Sequence, residues 1–100
     1  MPIRQRPIRT GRKSSISTAA AQLTTITESG QRGIQITADS TNAGVVYVGE
    51  ASTVTADAAD GTDGYPIAAG DTIVIPTLRA DELYVIASTG TTNKVWWMLV

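Results

Sequence analysis

Residues 31–50, QRGIQITADSTNAGVVYVGE, decide the fold class. Ile34, Ile36 and Ala38 alternate with Gln35 and Thr37, the two-residue period that turns one set of side chains to a core and the other to water. The Asp-Ser-Thr-Asn-Ala-Gly run from Asp39 supplies residues that cap and turn a chain, and Val45 to Val48 resume β-branched and aromatic character. The stretch predicts a hairpin, two strands closed by one turn, with the rest of the chain arranged against it. Nothing in it points to catalysis.

Outward from that stretch, composition supports the same class. The chain has 100 residues and no Cys, His or Phe, while Val, Ile, Thr and Ala recur throughout. That bias favours strands over helices. One domain of this size buries about 60 to 70 % of its unfolded surface, and without cysteine it is held by packing and backbone ladders. No run approaches the roughly 18 apolar residues of a membrane span, and no apolar secretory segment follows the charged start. The expectation is a soluble all-β protein, a sandwich of about eight strands over residues 14–100.

In front of it, residues 1–13, MPIRQRPIRTGRK, read as an extended basic arm. The formal net charge of −1 hides a division: Arg4, Arg6, Arg9, Arg12 and Lys13 are unopposed by any acid there, whereas the remainder sets Arg32, Arg79 and Lys94 against all nine acids. Pro2 and Pro7 each open a Pro-Ile-Arg repeat, which forbids regular helix and favours extended backbone. Ile3 and Ile8 are too few for a core, so the arm is expected to order on a partner, the isoleucines as anchors and the arginines as clamps for carboxylates or phosphates. Nucleic acid is not the expected partner, because no aromatic side chain is interleaved for stacking.

The other segments follow from turn and strand signals. Residues 14–28 suit one strand or two short ones, with Ser29-Gly30 as a turn and Gly33 as a bulge or close backbone approach. Residues 52–57, STVTAD, suggest a further short strand. Pro66 suggests an edge or a strand start, Gly70-Asp71 a tight turn, and residues 71–76 a strand with Ile73 and Ile75 on one face. Residues 78–82 form a polar corner. Leu83 to Ser88 is a near-continuous apolar strand, buried on both sides or covered by a neighbouring subunit. In the last strand Val95, Trp97 and Leu99 take one face and Trp96, Met98 and Val100 the other. One face is assigned to the core, while Trp96 and Met98 are candidates for a subunit interface; a central strand covered within one chain is the alternative.

Little here supports chemistry. With neither histidine nor cysteine, the usual base at neutral pH and the commonest zinc ligands are missing. Asp57, Asp60 and Asp63 fall every third residue, a spacing that fails the pattern of a calcium loop. Asp81 and Glu82 are adjacent and point apart in extended chain. No glycine-rich phosphate loop occurs. The expectation is a protein that is not an enzyme and has no catalytic residue, cofactor, metal or small-molecule substrate.

The runs Arg32-Gly-Ile-Gln-Ile-Thr-Ala-Asp39, Asn42-Ala-Gly-Val-Val-Tyr-Val-Gly49, Val54-Thr55, Gly64-Tyr-Pro-Ile-Ala-Ala-Gly-Asp71 and Leu83-Tyr-Val-Ile-Ala87 resemble the capsid decoration (cement) proteins of tailed bacteriophages. The resemblance covers about residues 30 to 90 and implies a jelly-roll-like β-sandwich with an extended N-terminal arm. It also implies a virion structural protein, assembled in the host cytoplasm, that attaches as a homotrimer to the outer surface of the expanded capsid. There it would bridge neighbouring major capsid proteins through Pro2, Ile3, Arg4, Arg6, Pro7, Ile8, Arg9, Arg12 and Lys13. Similar modules occur in phage head fibres, tails and baseplates, which leaves a host-surface ligand bound by Tyr65, Tyr84 and Trp96 as the alternative.

Overall fold

The computed structural model describes residues 9–27, 32–56, 61–76 and 79–100. Eight strands follow one another: β1 (Thr10–Ile16), β2 (Ala21–Gln22), β3 (Ile34–Ala38), β4 (Val46–Gly49), β5 (Tyr65–Ile67), β6 (Thr72–Ile75), β7 (Tyr84–Ala87) and β8 (Asn93–Leu99). The described residues contain no helix except a 3₁₀ turn at Ala80–Glu82. Two antiparallel sheets result, sheet A in the order β1-β8-β3-β6 and sheet B in the order β2-β7-β4-β5. The first strand thus pairs with the last, the second with the seventh, the third with the sixth and the fourth with the fifth. That is one long antiparallel hairpin rolled over on itself, the jelly-roll topology.

Alternation in the sequence builds the interior. Ile34, Ile36 and Ala38 on β3 face Val46 and Val48 on β4 across the sandwich, joined by Ile67, Val85, Ala87, Val95 and Trp97. Ile16, Leu23 and Leu83 belong to the same buried cluster. Each fully buried Val, Ile or Leu contributes about 1.5–3 kcal/mol, and this core carries the fold without any cross-link. β7 lies between β2 and β4 with Val85, Ile86 and Ala87 all buried, as its continuous apolar run requires.

The hairpin expected at residues 31–50 is corrected. Both strands form, but β3 belongs to sheet A and β4 to sheet B. Alternation fixes which face of a strand is buried and leaves its hydrogen-bonded neighbour open. The linking residues decide it, because their polar groups bond to β8 and its preceding loop. Asn42 exchanges two bonds with the Lys94 backbone, its Nδ2 donating at 2.9 Å and its Oδ1 accepting at 2.8 Å. The Gly44 N–H donates to Oδ1 of Asn93 at 3.0 Å. Asn93 is fully buried, and its Nδ2 donates to the carbonyls of Ile16 (3.0 Å) and Thr89 (2.8 Å). One asparagine therefore ties β1, the β3–β4 crossover and the β7–β8 loop together.

Two further expectations change. Of the strand expected at residues 52–57, the described residues 52–56 form none: residues 51–53 turn, the Val54 N–H donates to Ala51, and Thr55 makes an isolated parallel bridge with Asp63. The Thr55 N–H donates to the Thr62 carbonyl and the Thr55 carbonyl accepts from the Gly64 N–H, so the two segments meet at a single bridge, which the Thr55 hydroxyl reinforces by bonding Thr62 and Asp63. The boundary at residue 13 is also displaced, since Thr10 to Lys13 already pair with β8. Charge does not oppose this, because Arg and Lys suit an edge strand. Gly11 is needed, since a Cβ at that position would lie 2.5 Å from the Trp97 ring.

Other turn readings hold. Gly33, at φ 124°, is a close approach, where a Cβ would stand 2.0 Å from the Ile75 carbonyl oxygen. Pro66 sits in the edge strand β5, and Gly70-Asp71 turns tightly through an Asp71 N–H bond to Ala68. Arg79 pairs bidentately with Asp81 at the polar corner. Pro2, Ile3, Arg4, Arg6, Pro7, Ile8, Ser29, Gly30, Asp57, Asp60 and Leu78 lie outside the described residues.

Candidate interaction face

The register of sheet A sets out its outer face in two rows. Thr10, Met98, Gln35 and Val74 stand side by side across β1, β8, β3 and β6, and Arg12, Trp96, Thr37 and Thr72 form the next row. Trp96 is 46 % exposed and Val74 52 %, in contrast to Trp97, 5 % exposed on the inner face of the same strand. Around Trp96, residues Thr10, Arg12, Gln35, Thr37 and Met98 border a shallow depression of about 480 Å³.

Trp96 is held from two sides. The Arg12 guanidinium lies 5.4 Å from the ring centroid, a cation–π contact worth about 0.5–1 kcal/mol at an exposed site. The indole N–H donates to Oδ1 of Asp39 at 3.3 Å. Oδ2 of Asp39 accepts from the Thr41 backbone N–H at 3.1 Å and from the Thr41 hydroxyl. The Thr41 hydroxyl, then the Thr41 backbone N–H and the indole N–H, hold the Asp39 carboxyl below its ordinary value of 3.8, with the Lys94 charge acting the same way. The ring is thereby presented in one orientation, and less side-chain freedom is lost when a partner covers it. Thr37 and Thr72 share a hydroxyl bond of 2.8 Å beside it.

Sequence reasoning placed Trp96 and Met98 on one face, and the structure keeps them there. It also brings Arg12, assigned to the arm, onto that face beside them. Asp39 was read only as a turn residue; its role follows from the β3–β8 pairing, which no local pattern reveals. Tyr65, Tyr84 and Trp96 are not brought together. Tyr65, 64 % exposed, lies at the sheet B edge on the side of Val48. Tyr84 points to the opposite side of sheet B from its buried neighbour Val85, and Trp96 stands on sheet A.

Among the described residues no cluster of three or more carboxylates forms a metal site. Asp63 accepts a bond from Thr55 at 2.9 Å, which gives it a loop-fastening role. No helix of the described residues is long and apolar enough to cross a membrane. Neither a protein-family description, a curated protein nor a solved structure matches the chain.

Proposed function

We propose that this chain is a virion structural protein that decorates and cements the expanded capsid of a tailed bacteriophage, bound to the outer surface as a homotrimer and bridging neighbouring major capsid proteins. The observation that carries the proposal is the outer face of sheet A, where Trp96, Met98 and Arg12 stand together with Trp96 fixed by Asp39. Tryptophan, methionine and arginine are the residue types enriched where proteins bind proteins, and a rigid exposed tryptophan with a polar surround has the makeup of a binding hot spot. Jelly rolls recur in capsid and lectin proteins, an analogy of fold that supports the class of role and leaves the partner to experiment.

Attachment would combine this face with the basic residues ahead of it. Each contact is small, and repetition around a symmetric capsid site converts weak contacts into firm attachment. Co-sedimentation with expanded capsids tests it: wild type should pellet with them, and Trp96→Ala should lose at least tenfold in apparent affinity with its thermal midpoint nearly unchanged. Equal binding by the variant removes the face from the role; no binding by wild type removes the role.

A host-surface glycan is the second reading, favoured by the hydroxyl and amide groups of Thr37, Thr72 and Gln35 beside the indole. It predicts that surface glycans quench the Trp96 fluorescence.

A further inference from the structure

The four strands at sheet edges are not equally protected against pairing with another chain. β1 carries Arg12 and Lys13 and is bulged between Lys13 and Ile16, with Ser15 at φ 57°. β2 has two residues, and β5 has Pro66 at its middle. Charge, bulge, shortness and proline are the devices that blunt an edge. β6, Thr-Ile-Val-Ile, has no charge, bulge or proline within its four residues, and Pro76 comes only after the last of them.

Its free side can be located. The Ala38 N–H donates to Asp71 and the Gly70 N–H donates to Ala38, each at 2.9 Å. Two residues along this antiparallel ladder the bonded pairs become Ile36–Ile73 and Ile34–Ile75. Thr72 and Val74 therefore turn their N–H and C=O groups outward. Beside this edge the two sheets part around an apolar cleft of about 570 Å³, bordered by Val48, Tyr65, Ile73, Ile75, Leu83 and one acid, Glu50. Asp71, a second acid, directly precedes the strand.

We propose that β6 accepts, as an added strand, residues 3–8 of a second copy of this chain. The segment Ile-Arg-Gln-Arg-Pro-Ile is cationic and holds no acid, a net charge that suits an edge flanked by Asp71 and Glu50, whereas β6 against β6 across a two-fold axis would set those acids against each other. Its prolines select one frame. If Arg4 and Arg6 turn their backbone groups to Val74 and Thr72, the missing N–H of Pro7 faces away and the ladder is unbroken. Ile3, Gln5 and Pro7 then lie on the side of Ile73 and Ile75, over the cleft, and Arg4 and Arg6 on the outer side with Val74 and Thr72.

Chain length requires that the donor be another copy. Arg9 is fixed at the β1 edge, where its carbonyl accepts the Leu99 N–H at 2.9 Å. A strand added to β6 stands four strand spacings from β1, about 19 Å. Residues 6 to 9 span at most about 11 Å. A donor edge on one side and an acceptor edge on the other make a head-to-tail contact, which closes into a ring when the rotation allows.

The capsid role is not needed for this arrangement, so it is tested on the isolated full-length protein. The chain has no cysteine, so an introduced pair reports alone. Oxidised Arg4→Cys/Val74→Cys should give a ladder of multimers on a non-reducing gel, and Arg4→Cys/Ser40→Cys should not. A monomeric product, no product, or equal ladders from both would overturn the proposal. Val74→Pro removes an outward N–H and spares the bonds to β3. It should shift the sedimenting species from a multiple of the chain mass to one chain at about 10-fold higher concentration than wild type, with the circular dichroism unchanged; a wild type that is already monomeric, or a variant that associates equally, overturns it as well.

Discussion

Trp96 and Trp97 are neighbours in one strand with opposite surroundings. Trp97 lies over Gly11 among Ile16, Ile34 and Ile36, where its ring fills the sandwich, while Trp96 meets a cation, a carboxylate and water. The inner face is specified by volume and the outer face by orientation. A substitution on the inner face is therefore read in stability, and one on the outer face in association.

The largest effect sharpens the inner half of that comparison. Trp97→Ala leaves a cavity between the sheets and should cost about 3–5 kcal/mol in chemical denaturation, enough to unfold a marginal domain. A cost under about 1 kcal/mol would mean that the sheets collapse onto the space. Asn93→Ala follows at about 2–3 kcal/mol, because it strands the Gly44 N–H and two carbonyls in a buried joint. Asn93→Asp should cost no less, since a carboxylate cannot donate to Ile16 and Thr89. Trp96→Ala comes next, at under about 1 kcal/mol in stability. If it destabilised as much as Trp97→Ala, the two faces would not be different in kind.

The sequence carried the faces more fully than the neighbours. Ile34, Ile36 and Ala38 are buried as their spacing demands, and Trp96 and Met98 share the side opposite Trp97, because each statement concerns a single strand. The pairing of β3 was misread because an Asp-Ser-Thr-Asn-Ala-Gly link turns a hairpin as readily as it crosses between sheets. Its outcome rests on Asn93, a residue some fifty positions away that reads locally as the end of a loop. Arg12 shows the same gap. Its charge marked it as part of an arm, and only the β1–β8 register puts it over Trp96. Edge protection falls between the two cases: Pro66 and the paired cations were visible, but an unguarded β6 has meaning only once its place at the end of sheet A is known.

The smallest effect concerns the carboxylate that orients the outer ring. Asp39 is exposed, and its folded value lies below 3.8 chiefly because the Thr41 hydroxyl bonds its ionised form. A depressed carboxyl contributes above its unfolded value and loses that contribution as pH falls through the lower, folded value. Acidification below 3.8 should therefore release the indole N–H and move the tryptophan emission before the body unfolds. Trp96→Phe should abolish that early change, and Asp39→Asn should remove its pH dependence while leaving the main unfolding transition in place. If the early change persisted in Trp96→Phe, it would belong to Trp97, and the carboxylate would have no part in fixing the exposed ring.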